Sequence, residues 1–228
     1  RRQRELVTPS PILPLSRHEV HPQRKAREML VSIIIPVFNK LELTRTCIKR
    51  IYENTRIELG FEVIVVDNAS TDGTADWLAQ ATPAYLYLKF IRNESNRGFA
   101  KACNMGANAG LGKYTLFLNN DTEVQEGWSD ALVRILETDP TVAAAGSKLV
   151  YPDGKIQHAG VTILDDQRLG DPLLARNAHV GQPNNFAEAN EPRTYQALTA
   201  ACLLVRKRAF NEVGGFDEEY WNGYEDVD

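Results

Sequence analysis

Tyr114-Thr115-Leu116-Phe117-Leu118-Asn119-Asn120-Asp121-Thr122-Glu123-Val124 is the stretch from which the fold can be read. Its opening apolar run, rich in β-branched and aromatic side chains and too short for an ordinary helix, predicts a buried strand. Three polar residues follow it. Ligands of open α/β sheets bind in the crevice beyond the carboxyl ends of the strands, so Asn119, Asn120 and Asp121 would stand at that edge on a rigid support. A carboxylate so placed can hold a hard divalent cation, and the cation can hold phosphates. By itself Asn-Asn-Asp-Thr also reads as a plain turn, since Asn and Asp bond their own backbone and tolerate unusual dihedrals. The other strand ends of the chain decide between the two.

Residues 31–35 are a near-continuous apolar run that suits a parallel strand covered on both faces, ending at Pro36-Val37-Phe38-Asn39. Asn39 with Glu42 has the spacing of a capping box, and Leu43, Cys47 and Ile51 would give the following helix an inward stripe. Residues 61–66 form a second strand. It closes at Asp67-Asn68-Ala69-Ser70-Thr71-Asp72-Gly73, and a helix opens near Thr74, so Asp67 is a second carboxylate at the same edge. A dinucleotide fold would carry a glycine-rich turn after its first strand; Pro36-Val37-Phe38-Asn39 stands there instead, which argues against nicotinamide or flavin. Residues 86–91 predict a third strand, leading through Asn93-Glu94-Ser95-Asn96-Arg97-Gly98 into a helix over 99–111. Its Ala100, Ala102, Gly106, Ala107 and Ala109 make it narrow enough to lie close to the sheet. After the organising stretch, residues 127–139 present Trp128, Ala131, Leu132, Ile135 and Leu136 on one helical face. Four such alternations predict a doubly wound, mostly parallel α/β sheet with flanking helices.

The character changes after Pro140. Residues 142–150 and 155–164 read as strands around a Pro152-Asp153-Gly154 turn, 165–192 as a long irregular stretch, 194–205 as a strand, and 207–213 as a helix stopped by Gly214-Gly215. Residues 1–30, with scattered prolines and an excess of basic charge, read as an extended arm or linker. The expected division is therefore the arm, then one domain over 31–228, with a nucleotide-binding half at 31–139 and a smaller acceptor-side strand and loop region at 140–228.

A formal net charge of -4 gives no sign of a nucleic-acid surface. Cys47, Cys103 and Cys202 lack metal-ligand spacing and read as reduced core thiols of a cytoplasmic protein. No apolar run approaches membrane-spanning length and no signal-peptide pattern opens the chain. The sequon Asn120-Asp121-Thr122 lies in the candidate centre, where a glycan would block it; this too favours a cytoplasm in which sequons are not read.

Five motifs occur in order: Pro36-Val37-Phe38-Asn39, 66–74 with its Asp67-Asn68-Ala69-Ser70-Thr71-Asp72-Gly73 core, Asn96-Arg97-Gly98-Phe99-Ala100, Leu118-Asn119-Asn120-Asp121, and Gly223-Tyr224-Glu225-Asp226. In this order the chain resembles family 2 glycosyltransferases from about Val31 onward. Residues 153–160, Asp-Gly-Lys-Ile-Gln-His-Ala-Gly, make it most similar to bacterial rhamnosyltransferase-like enzymes of O-antigen and other cell-surface polysaccharides. The resemblance implies a GT-A fold and inverting transfer of a sugar from a UDP- or dTDP-linked donor to a glycan or lipid-linked acceptor. It implies that Pro36, Asn39, Asp67 and Arg97 surround base and ribose, that Asp121 reaches a divalent cation (Mn2+ or Mg2+) on the diphosphate, and that Asn119 and Asn120 lie by the donor. Glu225 and Asp226 match the acidic pair near the acceptor, with Asp226 as the base; His158 reads more readily as structural than as a substrate contact.

Two departures accompany the resemblance. Asn119 and Asn120 stand where a carboxylate often begins the metal motif, which should weaken metal affinity. The chain also stops two residues after Asp226, where the family continues, so the resemblance implies a piece of a longer protein, with any membrane-face association supplied by segments outside it. A sugar nucleotidyltransferase would need a glycine-rich triphosphate loop that is absent here. A non-catalytic nucleotide-sugar or glycan-binding module of a larger protein is the competing reading.

Overall fold

A computed structural model describes residues 29–165, 173–220, 223 and 225–227; most of the expected basic arm lies outside them. Four strands and four helices alternate first: β1 (Val31–Val37), α1 (Leu41–Asn54), β2 (Phe61–Asp67), α2 (Thr74–Ala81), β3 (Leu88–Arg92), α3 (Phe99–Ala109), β4 (Tyr114–Leu118) and α4 (Trp128–Thr138). Short pieces follow: β5 (Ala144–Gly146), β6 (Leu149–Val150), β7 (Ile156–His158), β8 (Val161–Asp165), β9 (Leu173–Asn177), β10 (Cys202–Arg206) and α5 (Lys207–Glu212).

The main sheet runs β3-β2-β1-β4-β10-β5, with β1 to β4 parallel and β10 antiparallel to both β4 and β5. Every residue of β1, β2 and β4 is buried, which explains their apolar runs. One face carries α1, α2 and α4 through Cys47, Ile48, Ile51, Leu78, Leu132 and Leu136; the other carries α3 and α5 through Ala100, Cys103, Ala107 and Phe210. The sheet is thus doubly wound. The expected narrowness of α3 is real: a Cβ on Gly106 would lie 2.3 Å from Ile34 Cγ2.

Several expectations are corrected. The inward stripe of α1 is Thr44, Cys47, Ile48 and Ile51, while Leu43 is 46% exposed. A threonine can face inward because its hydroxyl is paired there with the Asn120 side chain at 3.0 Å. On α4 the buried residues are Ser129, Leu132, Val133 and Leu136, with Ala131 and Ile135 turned outward. The strand expected over 142–150 breaks into β5 and β6, which join different sheets. Part of the stretch expected to be irregular is β9, hairpinned with β8, and the strand expected over 194–205 shortens to β10.

Candidate active site at the carboxyl edge of the sheet

The loops after β1, β2 and β3 meet and bond one another. Asn68 N–H donates to Val37 C=O at 2.8 Å, and Asn93 N–H donates to Asp67 C=O at 2.8 Å. Asn93 Nδ2 donates to Asn68 Oδ1 at 2.7 Å, and Asn68 Nδ2 to Gly98 C=O at 3.1 Å. The expected Asn39–Glu42 capping box does not form. Asn39 instead receives Thr71 N–H at 2.8 Å on Oδ1 and gives its own N–H to Ser70 Oγ at 2.7 Å. The first amide of α1, Leu41 N–H, is capped by Asp72 Oδ2 of the neighbouring loop at 3.0 Å. Asn39, Lys40 and Ala69 all adopt left-handed backbone (φ 59°, 63° and 65°), an unfavourable conformation for non-glycine residues that these cross-loop bonds sustain. Beside this clasp lies a hollow of about 310 Å³ lined by Pro36, Val37, Phe38, Asn68, Asn96, Gly98 and Phe99.

Asp67 is fully buried, and its Oδ1 accepts Ser70 N–H at 3.0 Å. Its Oδ2 accepts no hydrogen bond among the described residues and lies 3.8 Å from Arg92 Nε. Arg92, the register partner of Asp67 on β3, also donates to Ser70 C=O at 3.2 Å. Arg97 is exposed, and its charge acts on Glu218. The guanidinium beside Asp67 is therefore that of Arg92, which sequence reasoning passed over because it closes a strand rather than sitting in a polar motif.

At the end of β4, Thr122 Oγ1 and Cys47 Sγ both donate to Asn119 C=O, at 2.7 and 3.6 Å. Asn120 Nδ2 donates to Thr44, so α1 pins this turn and leaves Asp121 exposed beyond it. Asn120, expected to lie by the donor, has its amide nitrogen engaged with the helix.

The acidic pair reaches the same place through one dipeptide. Ala200 N–H donates to Asp226 Oδ2 at 2.8 Å, and Ala201 C=O accepts Asn119 N–H at 3.1 Å. Ala200-Ala201 thus stands between Asp226 and the end of β4. Glu225 is 8% exposed, and its Oε2 has no partner among the described residues. His158, 2% exposed, accepts Gly160 N–H on Nε2 at 3.1 Å, so Nδ1 carries the proton shared with Asn177 Oδ1 at 2.8 Å. Burial lowers its pKa, with opposing pulls from the Asn177 bond and the Asp226 charge. The imidazole is a satisfied interior group, in keeping with its reading as structural. The three thiols are buried, and burial pushes Cys47 up to about 12 and Cys202 up to about 11.

The structure therefore gathers Pro36, Asn39, Asp67, Asn119 and Asn120 into one edge, with Asp121 exposed beyond it and Asp226 tied on through Ala200. Phe38, Asn68, Asn96, Ser70, Asp72 and Arg92 join them; all but Arg92 lay inside quoted motifs, and Phe38 could have been singled out as an aromatic side chain at a strand end, where a core residue is not required. Among the described residues no three His, Cys, Asp or Glu side chains cluster as a metal site, and no helix is long and apolar enough to cross a membrane.

Comparison with known proteins bears on the family and the fold. O-antigen biosynthesis protein RfbC of Myxococcus xanthus is 32% identical over 220 residues, covering 95% of this chain and 16% of that protein. N-acetylglucosaminyl-diphospho-decaprenol L-rhamnosyltransferase of Mycobacterium tuberculosis is 30% identical over 182 residues, covering 73% and 58%. Mannosyltransferase PcManGT from Pyrobaculum calidifontis, solved in complex with GDP-Man and Mn2+, superposes with a TM-score of 0.62 over 89% of this chain and 51% of that one, at 22% identity, which speaks to the shared GT-A fold. The chain spans less than two thirds of the length of each. The profile of glycosyl transferase family 2 matches residues 32–214, and the chain belongs to that family.

Proposed function

We propose that the chain is the donor-binding and catalytic part of an inverting glycosyltransferase. It moves a sugar from a UDP- or dTDP-linked donor to a glycan or lipid-linked acceptor of a cell-surface polysaccharide, working in the cytoplasm at the inner face of the membrane. The observation that carries this reading is the Ala200-Ala201 bridge, which sets Asp226 beside the strand end that bears Asp121.

In this reading the half-exposed Phe38 ring and Pro36 wall the base, and the buried Asp67 meets a base N–H or ribose hydroxyl once the Arg92 guanidinium beside its Oδ2 moves aside. Arg97 stands at the rim. A single exposed carboxylate suits Mg2+ or Mn2+, which take one or two protein carboxylates and fill the rest of their shell with substrate phosphates and water. Asp121 would hold such an ion, whose chemistry is to neutralise charge on the departing diphosphate. Asp226 takes the proton of the acceptor hydroxyl as that oxygen attacks the anomeric carbon from the face opposite the diphosphate. The likeness to RfbC and the rhamnosyltransferase supports a polysaccharide precursor as acceptor.

A thermal-unfolding screen of nucleotide sugars with Mn2+ or EDTA, using the natural full-length protein, tests this. Since ligand at a hundred times its Kd stabilises by about 2.7 kcal/mol, a true donor raises Tm visibly, and more with Mn2+. Product analysis then reports the anomeric configuration. Absence of stabilisation by every nucleoside diphosphate sugar would sink the proposal; binding without transfer would leave the non-catalytic module in its place.

A further inference from the structure

Asn104 lies on α3, five positions past the Phe99 that walls the hollow, and its carboxamide pairs with both backbone groups of Phe216. Phe216 N–H donates to Oδ1 at 3.0 Å, and Nδ2 donates to Phe216 C=O at 2.8 Å, across 112 positions of sequence. The second hydrogen of Nδ2 goes to Glu218 Oε1 at 3.2 Å, and Glu218 also pairs with Lys101, one turn earlier on α3, at 3.0 Å. The side chain therefore acts as a strand edge would, with three of its four hydrogen-bond positions on the 216–218 segment.

The chain is shaped to receive it. Gly215 has φ +86°, and a Cβ added there would lie 2.7 Å from Asn104 Oδ1, so residue 215 must lack a side chain for the carboxamide to reach Phe216. The Phe216 ring packs 4.8 Å from Phe117, 5.2 Å from Phe210 and 6.5 Å from Phe99. Apolar packing alone would hold that ring without dictating the backbone's height along α3. The carboxamide does dictate it. Glu225 and Asp226, nine and ten residues further on, lie near enough to α3 for their charges to help raise the pKa of the buried Cys103, after burial itself.

We propose that Asn104 is a positioning residue for glycosyl transfer: it fixes residues 214–218 against α3, and so sets the distance between Asp226 and a donor held beside Phe99. One rigid helix then gauges both sides of the reaction, with Ala200 as the second anchor of Asp226. This rests on the reading of Asp226 as the base.

In the full-length protein, Asn104→Ala should lower kcat about ten- to a hundredfold, the scale of a small misplacement of reacting groups. Nucleotide Kd and donor KM should stay within about twofold. The Phe216 amide should exchange with deuterium faster while the amides of β1 and β2 keep their protection. Asn104→Asp sets a second carboxylate against Glu218 and should be impaired as well; adding Glu218→Gln should restore part of kcat, which a merely structural role does not require. Unchanged kcat in Asn104→Ala, or kcat and nucleotide affinity falling together with a broad loss of protection, overturns the proposal. Asp226→Asn is run beside it. Transfer retained in that variant overturns the base reading and this proposal's target with it, whereas inactive Asp226→Asn with fully active Asn104→Ala removes the positioning role alone.

Discussion

The two halves of the molecule build their parts of the site differently. Over 31–139, three loops grow from parallel strands, two of them fully buried, and bond one another at many points, so each polar group is fixed by the next. Among the described residues over 140–227 the strands are two to five residues long, and Asp226 is tied there by one backbone bond, from Ala200. The first arrangement suits a surface that recognises a ligand of constant shape. The second suits a group that must be aligned with an incoming partner, and its alignment depends on few contacts.

That contrast can be broken at its weakest tie. In the full-length enzyme, Asp226→Asn should reduce transfer by about a hundredfold or more while nucleotide binding persists, the usual scale for removing a general base. If Glu225→Gln is inactive and Asp226→Asn is not, the role moves to Glu225. On the opposite side, Asp121→Ala should abolish the dependence of nucleotide affinity on Mn2+, a coupling on the order of 5- to 150-fold. Titration calorimetry giving equal affinity in EDTA and Mn2+ for the parent protein would remove the ion from the site.

Smaller effects test how firmly the parallel half is built. Gly106→Ala gains about 1 kcal/mol of helix propensity but forces a methyl against Ile34 at 2.3 Å, an overpacking that costs about 1–3 kcal/mol. Overpacking should win, giving a lower urea midpoint; a higher one would mean that α3 can retreat from the sheet. Asp72→Ala removes the cap of α1 and should cost about 1 kcal/mol. It should also weaken nucleotide binding, because the same loop seats Asn39; undiminished nucleotide affinity would show the clasp to be dispensable for recognition.

The least effect belongs to His158. Burial depresses its pKa, so the folded state prefers the neutral ring, and its stabilising contribution is full above about pH 6.5 and is lost as pH falls below that value. Relative to His158→Asn, the parent should lose stability as pH falls below about 6.5; parallel stability curves for the two would contradict the interior placement.

The parallel half was legible because burial on both faces leaves long apolar runs, and each run ends where polar residues begin. Ile33, Ile64 and Phe117 announced their strands, and Asp67 and Asp121 stood at the ends. The helix faces were less legible: Thr44 faces inward for the sake of Asn120, and a hydropathy pattern assigns no inward place to a hydroxyl whose partner is 76 positions away. The cap of α1 was misread for a similar reason, since Asp72 reaches it through space and local spacing pointed to Asn39. In the second half, pieces such as Leu149–Val150 are shorter than any period they could display. The links from Asn104 to Phe216 and from Ala200 to Asp226 are long-range or backbone contacts and leave no spacing to count.

The antiparallel insertion of β10 between β4 and β5 bears on the order in which the protein can be assembled. During synthesis the four parallel strands are complete some eighty residues before Cys202–Arg206 emerges to pair with Tyr114–Leu118. In that interval β4 is a mostly apolar edge with unpaired backbone groups, the kind of edge that recruits strands from other chains. A product cut between residues 139 and 201 would keep all the parallel strands of the sheet, and it would associate along β4 rather than remain a single soluble species.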